Sequence, residues 1–170
     1  MGATKNELLL HALMLKMIEF DAGDAKRIQH FVKVASFART IGLGEGMDTD
    51  TLLTLEAAAI VHDIGIHPSE QKYGDCSGKH QEELGPEPAR RMLAEAGFDA
   101  ERCERVAYLV GHHHTYSGID GIDYQALVEA DFLVNLFEDN SSLDAVRCAE
   151  AKVFRTATGK RLLETMFFGE

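Results

Sequence analysis

Apolar residues recur at helical spacing along most of the chain, and no run shows the alternation with Val, Ile and Thr enrichment that a strand needs. The pattern predicts an all-α protein, built as a helical bundle. A first helix is expected over Lys5 to Phe20, and a second from near Asp24 to about Ile41, where the glycine-rich stretch Gly42, Gly44, Gly46 stops it. A third starts after Asp48 or Asp50 and runs through Leu52 to Ile64. Its sequence, LLTLEAAAIVHDIG, is apolar nearly all round, which marks a helix at the centre of a bundle and puts His62 and Asp63 at its end.

Polar residues and glycine then predict a loop from Gly65 to Gly78, long enough to fold over a site. A fourth helix is expected from about His80 to Ala96, broken or restarted at Pro86 and Pro88, and a fifth from Ala100 to about His113. The turn-rich TYSGIDG leads into a sixth, from about Tyr124 to Phe137. After Asn140 the apolar pattern weakens into one or two short helices ending at Phe167 and Phe168. No internal repeat or low-complexity linker interrupts the chain, and 170 residues is the size of one domain. We therefore expect a single domain over residues 1–170, with short C-terminal helices over residues 141–170.

Composition changes this picture little: 45% of residues are hydrophobic and 26% charged, as in an ordinary globular protein, and no segment has the apolar length of a membrane span. The apolar stretch from Leu8 is interrupted by His11 and Lys16 and lacks a small-residue cleavage site, so the expected location is the cytoplasm. Cys76, Cys103 and Cys148 are odd in number and far apart, which fits a reducing compartment and forms no Cys-x-x-Cys site. A net charge of −11 disfavours a nucleic-acid polymer as partner, and leaves a small anionic substrate drawn in by metal.

The informative feature is histidine. Seven of the eight, His30, His62, His67, His80, His112, His113 and His114, fall between residues 30 and 114. Arg27, His30, Val34, Phe37 and Ile41 follow the spacing of one helix face, so His30 points where the apolar residues point. Taken alone it reads as a core histidine satisfied by a backbone carbonyl. His62 and Asp63 end the core helix one turn after the small residues Ala58 and Ala59. Asp131 lies inside the apolar run Ala126, Leu127, Val128, Ala130, Phe132, Leu133, Val134. A buried carboxylate is costly unless it is paired or binds a cation. Two imidazoles and two carboxylates from three helices suit Zn, Mn, Fe or Co, with Ni and Mg as further candidates, and not copper electron transfer, which would want a thiolate.

The order His30, then His62-Asp63 followed by Ile64-Gly65, then Asp131 resembles the H…HD…D signature of the HD superfamily of metal-dependent phosphohydrolases, over about residues 24 to 140. The resemblance implies a fold of the HD-domain type, one metal held by His30, His62, Asp63 and Asp131, and Arg27 as a phosphate contact. A subset of that family binds two metals, and its pattern is met by His80 and by the run His112-His113-His114, where the aliphatic residue three positions earlier, Val110, picks His113, with His112 and His114 as the alternatives. The implied activity is hydrolysis of a small phosphorylated substrate, a nucleotide or a phosphomonoester or diester, by metal-activated water, with Asp63 bridging two ions. Arg27, Lys79, His112 and His114 are the candidates for meeting substrate charge. The chain reads GIDGIDY where the cyclic-dinucleotide phosphodiesterases of the family continue into Gly-Tyr-Pro, which argues against that substrate. Two other readings accompany this one: HD proteins with the same ligand set that hold two irons and oxygenate their substrate, and a non-catalytic HD module that binds nucleotide or metal.

Overall fold

The computed structural model describes residues 2–169, and these form ten helices with no strand among the described residues. The helices are α1 (Lys5–Phe20), α2 (Ala25–Gly44), α3 (Thr49–Val61), α4 (Ile66–Tyr73), α5 (Gly78–Leu84), α6 (Pro86–Ala96), α7 (Ala100–Val110), α8 (Ile122–Glu138), α9 (Leu143–Val153) and α10 (Ala157–Phe167). No helix is long and apolar enough to cross a membrane.

The sequence explains where most of them begin. Thr4 and Glu7 form a capping box at α1, while Asp24, Asp48, Asp99, Ser142 and Thr156 each accept from a backbone N–H of the first turn of α2, α3, α7, α9 and α10. Helix α3 is the hub, packing against α1, α2, α7 and α8, and nine of its residues from Leu52 to Val61 are buried. A helix surrounded on all sides has no polar face to offer, which is what its nearly continuous apolar sequence requires. Helices α2 and α8 flank it and pack on each other.

Two expectations need correction. The segment 65–78 is not a plain loop: α4 occupies most of it. Pro68 sits in its first turn, where the missing N–H costs no hydrogen bond, and Gly74 ends it in the left-handed conformation at φ 74°. With Ser69 as its one buried residue, α4 has no apolar stripe to signal it. The helix expected over His80 to Ala96 is two, α5 and α6, divided at Gly85 with Pro86 as the first residue of the second.

Candidate metal centre

The chain leaving α3 delivers His62, its C-cap, and Asp63 to the point where α2 brings His30 and α8 brings Asp131. His62 Nε2 lies 3.3 Å from His30 Nε2 and 3.4 Å from Asp63 Oδ2, and His30 Nε2 lies 3.1 Å from Asp131 Oδ1 and 3.5 Å from Asp63 Oδ2. Two ligands bonded at about 2.1 Å to one ion are separated by about 3.0 Å in octahedral and about 3.4 Å in tetrahedral geometry. The spacing of His30, His62 and Asp63 therefore fits a transition-metal ion, with Asp131 beside His30 as a further donor.

Proton bookkeeping leads to the same place. His62 Nδ1 donates to the carbonyl of Ala59 at 2.9 Å, His113 Nδ1 donates to the carbonyl of Val110 at 2.8 Å, and His30 Nδ1 donates to the Glu138 carboxylate at 3.0 Å. Each acceptor fixes the hydrogen on Nδ1, so every neutral ring turns an Nε2 lone pair inward. The lone pairs of His30 and His62 face each other across 3.3 Å, an arrangement that repels unless a proton or a metal ion lies between them. Burial works against charge on either imidazole, yet Asp131 and Asp63 outweigh it and raise the pKa of His30 above, and of His62 well above, the ordinary value. Burial likewise pushes the two carboxyls up, and the imidazoles reverse this, holding Asp63 and Asp131 well below the usual carboxylate range. The cluster is arranged around a positive charge.

A second group of donors shares Asp63. His113 is buried, and its Nε2 is the one fully buried side-chain nitrogen or oxygen without a hydrogen-bond partner among the described residues; Asp63 Oδ1 stands 3.5 Å away. Such an orphaned atom is expensive unless something binds it. Candidate ligand atoms of Asp63, His113 and His114 all fall within 4.8 Å of one another, as do those of His30, His62 and Asp63. Burial, with His113 alongside, pushes His114 down to about 4, which leaves its ring neutral and able to donate a lone pair.

Residues 27–154 match the family model described as HD domain. This chain belongs to the HD domain family. Its fold is also that of a predicted HD superfamily hydrolase from an uncultured Thermotogales bacterium, whose crystal structure superposes with a TM-score of 0.65 over 95% of this chain and 84% of that one, at 24% identity. No curated protein matches the sequence.

As an HD domain, the chain brings His30, His62, Asp63 and Asp131 together as the motif implies, and adds His113 and His114. It does not bring His80. That ring stacks on Tyr73 and its Nδ1 bonds Asp75 at 2.8 Å, outside both donor groups, so His114 stands where His80 was expected beside Asp63 and His113. A carboxylate five residues before His80 captures it locally, at no cost in burial. Helix α5 nevertheless bears on the site through Gln81, whose Oε1 is 3.3 Å from His114 Nε2 and whose amide donates to the Cys76 carbonyl. Gly65 permits this approach, since a Cβ there would meet the Gln81 carbonyl oxygen at 2.5 Å.

A cavity of about 370 Å³ opens onto the donors and is lined by Lys26, Arg27, Gln81, His114, Asn135 and Glu138 among others. Arg27 is held at its wall by Asp24, Glu70 and the ring of His67. Lys79 and His112, expected near substrate, do not line it; His112 stacks on Tyr108 and bonds the Tyr108 carbonyl. Lining residues that escaped the sequence reading include Lys26, Gln81, Glu138 and Asn135, which donates to Asp131 Oδ1 at 2.9 Å.

Proposed function

We propose that this HD domain is a metal-dependent phosphohydrolase acting on a small phosphorylated substrate, a nucleotide or phosphoester. The observation that supports it best is the convergence of His30, His62, Asp63 and Asp131, with an unpartnered His113 Nε2 beside them, where His30, Asp63 and Asp131 line a cavity that Arg27 and Lys26 also line. When bound there, a divalent ion supplies an acidified water and polarises a phosphoryl oxygen. The protein's own part is positional. His30 and His62 are locked as Nδ1–H tautomers, Asn135 orients Asp131, and Asp63 offers one oxygen to each donor group. Arg27 is already immobilised by its acidic neighbours, so little side-chain entropy remains to be lost when it meets a phosphate. The testing experiment is metal analysis of the purified protein, followed by a phosphoester and nucleotide panel with that metal. No turnover of any phosphoester by the metal-loaded protein would sink the reading.

The two donor groups sharing Asp63 favour two ions, and keep in view a second reading, a diiron centre that oxygenates its substrate. A mixed-valence EPR signal with oxygen consumption would select it. For nuclearity, His114→Ala is expected to lose about one equivalent of metal, whereas His80→Ala retains both. One equivalent lost from His80→Ala would place His80 in the second site instead. Arg27→Ala is expected to raise KM for a phosphorylated substrate roughly tenfold or more, the worth of a charge-assisted hydrogen bond, while metal content stays at wild-type level. An unchanged KM would reduce Arg27 to a link between α2 and α4.

A further inference from the structure

Of the three imidazoles at the centre whose Nδ1 donates, His62 and His113 use carbonyls three residues earlier in the chain, and only His30 uses a carboxylate. Glu138, the last residue of α8, accepts from His30 Nδ1 at 3.0 Å through Oε2 and from Lys33 Nζ at 2.5 Å through Oε1. It stands on the Nδ1 edge of the ring, opposite the Nε2 edge that faces His62 and Asp131, so it is not placed to bind the same ion. Helix α8 thus grips the centre twice, two turns apart, through Asp131 on one edge of His30 and through Glu138 on the other.

We propose that Glu138 is a positioning residue of this centre: it fixes the tautomer and orientation of His30 and strengthens Nε2 as a donor, with Lys33 steering the carboxylate. The inference rests on the metal reading above. Its physical basis is that a carboxylate accepting from a ligand imidazole makes the ring a better electron donor than a carbonyl does, and losing such a partner weakens metal binding by about 10–100-fold. An ion pair that merely ties α2 to α8 makes a different prediction, because breaking it from either end would then be equivalent.

The test is titration of metal-depleted protein with Co²⁺, read both as affinity and as the visible spectrum of the bound ion. Glu138→Ala is expected to bind about 10–100-fold more weakly with an altered spectrum. Glu138→Gln, which still accepts from Nδ1, should recover part of the affinity, and Lys33→Met should stay within a few-fold of wild type with an unchanged spectrum. Wild-type affinity in Glu138→Ala, or equal losses in Glu138→Ala and Lys33→Met, would overturn the proposal while leaving the metal site standing. A wild-type protein that binds no Co²⁺ would overturn both.

Discussion

Asp63→Ala is expected to fold with wild-type helical content and to purify without stoichiometric metal or activity. Asp63 is the one side chain shared by both donor groups, with Oδ2 facing His30 and His62 and Oδ1 facing His113. Its loss removes a ligand from each site and leaves Asp131 as the one carboxylate on the Nε2 side of His30 and His62, with Glu138 on the opposite edge of His30. A carboxylate partner of a ligand is worth about 10–100-fold in metal affinity, so the loss of a ligand itself should exceed ~100-fold. The fold has no comparable stake. Asp63 follows α3 rather than lying within it, and the exchange to alanine changes helix propensity by only a few tenths of a kcal/mol. Circular dichroism together with metal analysis separates the two effects. Near-wild-type metal content in this variant would defeat the assignment of the site.

The sequence made the centre of the bundle legible because α3 has no polar face, and made the inward aim of His30 legible because Val34 and Ile41 share its side of α2 and are buried with it. The three-residue step from Val110 singled out His113, which is buried, while His112 faces Tyr108. Long-range pairing was not legible. Nothing in the spacing says that Asp75 will take His80, that Gln81 will reach His114, or that Glu138 will come from 108 residues away to His30. Helix α4 was missed for a different reason, since a helix without an apolar stripe leaves no periodicity to read. Glu129 escaped although its signal was present: it interrupts the same apolar run as Asp131, and the argument that a buried carboxylate needs a partner applied equally to both.

That partner is the start of α10. Glu129 is fully buried on α8, and its carboxyl oxygens accept from the backbone N–H groups of Arg155 at 2.6 Å and Thr156 at 2.9 Å, from the Gln125 amide at 2.7 Å and from the Thr156 hydroxyl. The residue thus closes the turn between α9 and α10 and pins both to the helix that carries Asp131. Glu129→Ala leaves two backbone donors and a hydroxyl without acceptors in a dry site and opens a void beside them, so the expected loss is ~3–5 kcal/mol. For a chain of this length that corresponds to a fall in Tm of roughly 10 °C or more. Gly159→Ala approaches the same network from the other side, because its new Cβ would stand 1.9 Å from Glu129 Oε2 and 2.7 Å from the Thr156 hydroxyl oxygen. Something must shift, at a cost of ~1–3 kcal/mol or more. Residues 129 and 131 lie about 200° apart around the helix, so Glu129 faces away from the metal donors. Both variants should therefore retain wild-type metal stoichiometry below their lowered transitions. Thermal unfolding of the metal-depleted proteins checks the first expectation and metal analysis at low temperature the second. A Tm for Glu129→Ala within about 2 °C of wild type would show that water or neighbouring groups replace the carboxylate, and that it is not the anchor of the C-terminal helices.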